Sequence, residues 1–416
     1  MNRLTRWLSQ GLFALSLALA SSALAQQPLR IGFGMSLTGP LAGNGKAALI
    51  AMQIWAEDVN TKGGILGRKV ELIYYDDQTS PSTVPSIYTK LLDVDKVDLI
   101  VSGYGTNVIA PAMPIAMQRN MMFMGLFGLN VNSRFNYDRY FQIMPAGPEP
   151  AVGWTQGFFD AAMTLNPKPQ TVALVGADAE YPAMALEGAR AHVKRLGLKV
   201  VYDKTYPPNT VDFSPIVRAI QATNPDLVYV GSYPPDSAGM VRAVNEVGLK
   251  AKVFGGGMVG TQFAALKTQL GPLLNGVVNY ELYAPELSSK FPFLDAFIGR
   301  YQSRAAQQGV DPLGYYLPPY AYAMMQVIEQ SIKAVGSLDQ AKLADYMHKT
   351  EFDTFVGKVR FGKNGEWAAS RIMMVQYHGI AGNDVDQWKK PGKVTVLYPR
   401  EYATGELKAP YYENKQ

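Results

Sequence analysis

The residues that could do chemistry in this chain follow five predicted strands, each at the point where the strand ends. They combine tyrosines, hydroxyls and glycines with few charges, in segments 103–107, 125–130, 179–181, 232–234 and 257–258. Because the carboxyl ends of parallel strands meet at one edge of a sheet, these segments are expected to line a common cleft. Such a cleft, with aromatic walls and little charge, suits a small apolar ligand that bears a carboxylate.

The first of these segments carries the most specific groups. Tyr104, Gly105 and Thr106 offer a ring, backbone N–H groups and a hydroxyl where the next helix is expected to begin. Free N–H groups at a helix start attract anions such as a carboxylate. The segment therefore predicts an anion-binding wall of the cleft.

Signatures of catalysis, metals and cofactors are weak or missing. The chain has no Cys, its three His are far apart, and no Ser lies in a G-x-S-x-G pattern, so we expect no enzyme activity, no metal and no cofactor. Asp76 and Asp77 are interpreted as a strand end and turn cap. The alternative, a secreted hydrolase that uses one of these acids, lacks a partner base.

The N-terminus predicts export. Arg3 and Arg6 precede an apolar run at 12–20 and a small-x-small site at 23–25, so we expect a signal peptide over residues 1–25 and a periplasmic mature protein. Without Cys, lipid attachment at the cleavage site is impossible. Without Arg3 and Arg6 the net charge falls from +5 to about +3, which is too small and too scattered to predict a nucleic-acid partner.

The elements that must position these residues alternate regularly between strand and helix. Strands are predicted at 30–35, 70–75, 98–102, 121–125, 171–175, 200–206, 227–231 and 253–254. Helices are predicted at 46–60, 82–94, 108–119, 154–163, 182–196, 213–223 and 236–247. This order predicts two doubly wound parallel sheets in tandem, an α/β architecture.

The last third does not read as a third domain. Helices are predicted at 291–308, 320–334 and 338–348, and the strands 358–361 and 372–377 could complete both earlier sheets. We therefore expect two lobes joined by a hinge that the chain crosses three times, near Pro145, 280–285 and 367–370. The predicted boundaries are 26–146 plus 281–368 for the first lobe, and 147–280 plus 369–416 for the second.

Motifs spread along the chain resemble those of a known family, the periplasmic binding proteins of the leucine/isoleucine/valine-binding type. They are Ser36-x-Thr38-Gly39-Pro40, Asn60-x-Lys62-Gly63-Gly64-Ile65-x-Gly67, Tyr75-Asp76-Asp77, Thr210-x-Asp212-Phe213-Ser214-Pro215 and Asn224-Pro225-Asp226. The resemblance implies a type I periplasmic binding fold and a monomeric receptor for an ABC importer of branched-chain amino acids and related compounds. It also implies an inner-membrane ABC permease as partner.

The resemblance also implies roles for single residues. The carboxylate-binding hydroxyl of the family falls on Thr106, the aromatic walls on Tyr181 and Tyr233, and the first-loop residue that packs on the ligand on Asn44. A loop that normally offers a Thr falls on Gly128 and Leu129. The acid that normally receives the ligand ammonium falls at or beside Gly257.

These two departures from the family pattern favour a carboxylate ligand without an amine, because a buried ammonium without a counter-charge is costly. Phe127, Tyr104, Tyr316 and Met258 are expected to line an apolar or aromatic pocket for an aromatic acid, an aryl-oxo acid or a fatty acid. One alternative is a branched-chain amino acid held by Glu180 or Glu281. Another is a ligand-sensing subunit of a signalling receptor.

Overall fold

The first lobe is built on a five-stranded sheet in which every neighbouring pair of strands is parallel. The computed structural model describes residues 27–414. The strand order is β2-β1-β3-β4-β5, with β1 (Leu29–Met35), β2 (Val70–Asp76), β3 (Leu99–Tyr104), β4 (Phe123–Leu126) and β5 (Tyr140–Gln142). The connecting helices are α1 (Ala42–Thr61), α2 (Val84–Asp93), α3 (Thr106–Ile109), α4 (Met113–Gln118) and α5 (Asn132–Phe135).

The second lobe begins with helices that alternate with the strands of a larger sheet. The helices are α6 (Pro150–Ala162), α7 (Glu180–Leu196), α8 (Ser214–Ala222), α9 (Pro234–Val247) and α10 (Ala264–Leu270). The strands are β6 (Thr171–Ala177), β7 (Lys199–Tyr206), β8 (Leu227–Ser232), β9 (Val253–Met258) and β10 (Val278–Glu281). These five strands are parallel to their neighbours and form the order β10-β9-β8-β6-β7.

The last third of the chain contributes to both lobes. Helices α11 (Pro292–Gln308) and α12 (Leu317–Val335) pack on α1, and α13 (Gln340–Lys349) packs on α12. A separate hairpin consists of β11 (Glu351–Thr354) and β12 (Gly357–Arg360). Strands β13 (Met373–Tyr377) and β14 (Val394–Tyr398) then extend the second sheet beyond β10 in antiparallel orientation. Short 3-10 turns lie at Ala110–Ala112, Gly271–Leu274, Pro285–Lys290, Val385–Lys389, Arg400–Tyr402 and Tyr411–Glu413.

Three segments, 143–149, 282–291 and 361–372, connect the two sheets and their helices. The first and third are bonded to each other, because the backbone N–H of Arg371 donates to the carbonyl of Pro145 over 2.8 Å. The predicted α/β architecture, with two mainly parallel sheets in tandem, is confirmed. The exact lobe boundaries stay a prediction.

Several predicted elements are wrong in detail. The helix expected at 108–119 is broken into α3, a 3-10 turn and α4, because Pro111 and Pro114 each remove a backbone donor. The strand expected at 358–361 completes neither large sheet and pairs with β11 instead. Short elements β5, β10, β14 and α10 were not expected at all.

No helix within residues 27–414 has both the length and the apolar character needed to cross a membrane. The predicted signal peptide lies outside the described residues.

Candidate functional site

A small cavity lies between the two lobes, at the carboxyl ends of the parallel strands. We call it the inner cavity. Eight predicted site residues line it: Tyr104, Gly105, Thr106, Phe127, Leu129, Tyr181, Tyr233 and Tyr316. Three residues that the sequence did not indicate line it as well: Met144, Trp154 and Val259. Its volume of about 20 Å³ is enough for one water molecule. That these residues bind a ligand stays a prediction.

Thr106 is fixed by the neighbouring strand-end loop. Its side chain is buried, and its hydroxyl oxygen accepts a hydrogen bond from the backbone N–H of Leu129 over 2.9 Å. Gly105 precedes it with a φ of +103°, a conformation that glycine adopts at little cost, and α3 begins directly afterwards. The hydroxyl of Thr106 thus has its hydrogen left to donate, at the residue with which α3 begins.

Phe127 has an unusual backbone. Its φ is +60°, a left-handed conformation that is costly for a bulky residue, and its N–H donates to the side-chain oxygen of Gln142 over 3.0 Å. The next residue, Gly128, is packed so closely that an added Cβ would lie only 2.8 Å from a methyl of Val131. Gly128 does not line the inner cavity. Phe127 itself lines the inner cavity.

Tyr316 is the centre of an aromatic cluster. Its hydroxyl lies 3.1 Å from that of Tyr104 and accepts a hydrogen bond from Tyr280 over 3.3 Å. Its ring makes edge contacts with Phe127 and Phe263, with centroids 5.4 and 5.2 Å apart. Tyr280 is fully buried on the short strand β10, which the sequence analysis did not detect.

Tyr181 has both hydrogen-bonding roles occupied. Its hydroxyl donates to the carbonyl of Gly257 over 2.9 Å and accepts from the indole N–H of Trp154 over 3.2 Å. The hydroxyl of Tyr233 differs, because it is buried and makes no regular hydrogen bond within the described residues, although the backbone of Tyr181 lies beside it. Tyr233 is thus the wall tyrosine with hydrogen-bonding capacity to spare.

The tyrosine hydroxyls stay protonated at neutral pH. Burial raises the pKa of Tyr104 to about 12. Burial also raises the pKa of Tyr181, Tyr233 and Tyr316 above the ordinary value of 10.0. Each hydroxyl therefore retains a hydrogen and can donate to a ligand oxygen.

Position 257 has no room for an acidic side chain. A Cβ built on Gly257 would lie 2.6 Å from the hydroxyl oxygen of Tyr229 and 3.3 Å from that of Tyr181. The first distance is shorter than any ordinary contact. The tyrosines therefore take the space in which a carboxylate at this position would have to begin.

The two acids named as replacements are engaged elsewhere. Glu281 is buried and forms an ion pair with Lys267 at 2.7 Å, and the hydroxyl of Tyr377 donates to the same oxygen over 2.7 Å. Glu180 forms an ion pair with Arg134 at 2.7 Å. Neither acid is among the residues that line the inner cavity.

Asn44 and Met258 lie near the site without lining the inner cavity. Asn44 is buried beside the hydroxyl of Tyr104. The backbone N–H of Met258 donates to the side chain of Asn279 over 3.0 Å, and the next residue, Val259, reaches the cavity instead. Successive side chains at a strand end alternate in direction, so an error of one residue changes which of them reaches the cleft.

Asp76 and Asp77 hold loops together. Burial opposes ionisation of Asp76, but hydrogen bonds from Thr38 and from three backbone N–H groups outweigh it and lower the pKa of Asp76. Burial raises the pKa of Asp77, which accepts from the Ser36 hydroxyl over 2.7 Å. Both side chains serve loop structure, as the sequence indicated. In the part of the chain that the structure describes, no group of three potential metal ligands occurs.

Comparison with known proteins gives a consistent result. A family model described as "Periplasmic binding protein" matches residues 28–382. A leucine-, isoleucine-, valine-, threonine- and alanine-binding protein of Pseudomonas aeruginosa is 24% identical over 382 residues, which cover 91% of this chain and 98% of that protein.

The names of two solved structures of similar fold mention different classes of ligand. A leucine-binding protein from Thermotoga maritima matches with a TM-score of 0.72 and 20% identity, covering 88% of this chain and 97% of that one. A solute-binding protein from R. palustris in complex with benzoate matches with a TM-score of 0.71 and 17% identity, covering 89% and 95%. At these identities the likeness shows the fold alone.

Proposed function

Because this chain belongs to the periplasmic binding protein family, we propose that it captures a small apolar or aromatic carboxylate without an α-amino group between its lobes and delivers it to an ABC importer. The observation that carries this proposal is the lining of the inner cavity, which contains aromatic, apolar and hydroxyl side chains but no Asp, Glu, Lys, Arg or His. An amino acid would bring an ammonium group to this lining. Without a counter-charge, burial of that group costs several kcal/mol.

The arrangement around Gly257 supports the same proposal. A side chain there would collide with Tyr229, and the nearby carboxylates of Glu180 and Glu281 are already paired with Arg134 and Lys267. An amino acid carrier would need one of these acids to leave its partner. A ligand without the amine has no such requirement.

A carboxylate would be held by uncharged donors. The oxygen of the Thr106 hydroxyl accepts one hydrogen bond, from Leu129, and its hydrogen is available to a ligand. The hydroxyl of Tyr233 is buried without a regular partner in the described chain. Hydrogen bonds from neutral donors to a charged acceptor are stronger than neutral pairs and offset part of the desolvation cost. Thr106 and Tyr233 come from different lobes, so closure around the ligand would complete the site.

The relatives support transport in preference to the other classes. Of the similar proteins named above, two are named as amino-acid-binding proteins and one as a solute-binding protein in complex with benzoate, and none of them is named as an enzyme or a signalling component. We therefore infer a binding protein without catalysis, located in the periplasm and working as a monomer with an inner-membrane ABC permease.

The test is a paired titration of the mature chain, residues 26–416. Calorimetry would compare leucine with its keto acid, and phenylalanine with phenylpyruvate and benzoate. We expect each amine-free acid to bind at least tenfold tighter than its amino counterpart, which requires a difference of only ~1.4 kcal/mol. Tighter binding of the amino acids would overturn the proposal.

A further inference from the structure

A second, larger space opens beside the inner cavity, also between the lobes. We call it the outer chamber. It has a volume of about 570 Å³, within the range of small-molecule sites. One lobe contributes the start of α1 and the loop after α11, and the other contributes α9, α10 and the 3-10 turn Val385–Lys389. Its lining includes Gly43, Asn44, Pro234, Phe263, Ala265 and Asp311.

We propose that the outer chamber holds the apolar body of the ligand, so that the ligand is an elongated carboxylic acid whose charged end lies in the inner cavity. This inference rests on the proposed function and narrows its substrate class. A compact acid would leave the outer chamber unused, whereas a chain of several methylenes would extend into it.

The two spaces share walls. Tyr233 lines the inner cavity and the next residue, Pro234, lines the outer chamber. Phe263 lines the outer chamber, and its ring packs edge-on against Tyr316 of the inner cavity with centroids 5.2 Å apart. Asn44 lines the outer chamber and lies beside the hydroxyl of Tyr104. These side chains separate the two spaces, so their movement on ligand entry would join the inner cavity to the outer chamber.

The volumes of the two spaces indicate which end of the ligand each would hold. The inner cavity has room for a group about as large as a water molecule, which suits a carboxylate together with small side-chain adjustments. The outer chamber is more than twenty times larger by the same measure of volume. The bulk of the ligand therefore belongs in the outer chamber.

The chemistry of the outer chamber suits an alkyl or aryl-alkyl chain. Phe263, Leu266, Val310, Pro312 and Val385 supply apolar surface from both lobes. The carboxylate of Asp311 is occupied, because it accepts hydrogen bonds from the backbone N–H groups of Ala264 and Gly314 over 2.9 and 3.0 Å.

Besides Asp311, three polar side chains line the outer chamber: Asn44, Lys46 and Thr268, whose hydroxyl donates to the carbonyl of Ala264 over 2.8 Å. Lys46 is exposed. Asn44 is the buried exception, with a side-chain N–H group that has no regular partner among residues 27–414. That group could donate to an oxygen on the ligand near its carboxyl end.

Gly43 allows the outer chamber to be filled without disturbing the core. It lies in the first turn of α1, it is exposed, and an added Cβ would meet no atom within 4 Å. Gly299 on α11 is also exposed and an added Cβ there would also meet no atom within 4 Å, but Gly299 does not line the chamber. Gly43→Trp and Gly299→Trp are therefore a matched pair. Ala265→Trp, at an exposed position on the opposite lobe, fills the chamber from the other side.

The experiment is calorimetry of butanoate, hexanoate, octanoate and decanoate with the mature chain and these variants. We expect affinity to rise about fourfold per added methylene, the ratio that corresponds to ~0.8 kcal/mol. Gly43→Trp and Ala265→Trp should weaken decanoate at least tenfold and leave butanoate within about twofold. Gly299→Trp should change neither acid.

The outcomes separate this inference from the proposed function. If butanoate or benzoate binds but affinity does not rise with chain length, the outer chamber has no role and the proposed function stands. The inference would also be overturned if Gly43→Trp weakened the affinity for short and long acids equally. If no carboxylate of any length binds to folded protein, both are overturned.

Discussion

The backbone N–H of Leu129 donates a hydrogen bond to the hydroxyl oxygen of Thr106 over 2.9 Å. This bond ties together two loops that follow neighbouring strands of the first sheet. The Thr106 oxygen acts as acceptor in this bond, so its hydrogen is left to donate. Because Thr106 lines the inner cavity, a ligand oxygen there can receive that hydrogen bond.

Thr106→Val should weaken binding of a carboxylate by ~1.5 to 3 kcal/mol, the usual range for a hydrogen bond to a charged group. Thr106→Ser keeps the hydroxyl and should stay within ~0.5 kcal/mol of the wild type. Calorimetry with the tightest-binding acid measures both, and urea unfolding checks that the loss of the Leu129 bond has not unfolded the variant. Equal affinity of Thr106→Val and wild type would remove Thr106 from the site.

The two wall tyrosines should respond differently to loss of their hydroxyls. Tyr181→Phe leaves the Gly257 carbonyl and the Trp154 N–H without this partner, so its free energy of unfolding should fall by ~1 to 3 kcal/mol. Tyr233→Phe removes a hydroxyl without a regular bond, so its stability should change little while carboxylate affinity falls. Urea unfolding and calorimetry of both variants test this, and a large stability loss in Tyr233→Phe would contradict it.

The strand-end residues could be predicted because apolar runs bounded by Gly and Pro mark buried parallel strands well. Thr106, Phe127, Tyr181 and Tyr233 all lie at such ends. Trp154 and Met144 were missed for a physical reason: one lies on helix α6 and the other in a segment that connects the lobes, so neither follows a strand. Only tertiary packing brings them to the cavity.

The backbone of Phe127 was equally unpredictable. A φ of +60° is expected for Gly or Asn, and nothing in the local sequence marks a Phe for it. The bond from its N–H to the distant Gln142 helps to stabilise that conformation. Likewise, the collision that excludes a side chain at Gly257 depends on Tyr229 from the neighbouring strand.

The buried ion pair between Lys267 and Glu281 should be important for stability. Both side chains are 3% exposed, and the Lys267 ammonium also lies 4.2 Å from the ring centre of Trp388. Lys267→Met would leave Glu281 as an uncompensated buried acid, at a cost of ~3 to 5 kcal/mol in the free energy of unfolding. Lys333→Met, which removes a half-exposed i,i+4 pair, should cost ~0.5 kcal/mol or less. Similar losses in the two variants by urea unfolding would contradict this assignment.

Asp236 should make stability depend on pH. Burial raises the pKa of this carboxyl from 3.8 to about 6, although hydrogen bonds from Tyr206 and the Tyr233 backbone oppose the shift. The folded state thus binds the proton more tightly than the unfolded state. Protonation of Asp236 therefore contributes to the free energy of unfolding. This contribution is complete below pH 3.8 and is lost as pH rises through about 6.

We expect this contribution to be ~1 to 2 kcal/mol, less than the full two-unit shift would give, because solvent screens part of the group. Asp236→Asn should remove it, so the variant should gain stability relative to wild type between pH 4 and 7. Glu187→Gln, at an exposed position on α7, serves as the matched control variant. Chemical unfolding at half-unit steps of pH measures this, and parallel curves for wild type and Asp236→Asn would contradict it.

The ion pair between Arg134 and Glu180 allows a direct test of whether this acid binds a ligand ammonium. Arg134 lies on α5 of the first lobe and Glu180 begins α7 of the second, with 2.7 Å between their charged atoms. As a partly exposed contact between the lobes, the pair should favour closure by ~1 kcal/mol at most. Glu180→Gln and Arg134→Gln should therefore weaken ligand binding equally and slightly. The effect should be the same for leucine and for its keto acid, and it should shrink at high salt.

A different pattern is expected if Glu180 receives an ammonium. Glu180→Gln would then weaken leucine strongly and spare the keto acid. Arg134→Gln would strengthen leucine, because it frees the carboxylate from its competing partner. Calorimetry of both variants with both ligands distinguishes the two cases, since only the second makes the variants move leucine affinity in opposite directions. We expect both variants to change leucine affinity in the same direction. Glu180 does not line the inner cavity, and its carboxylate is already paired with Arg134.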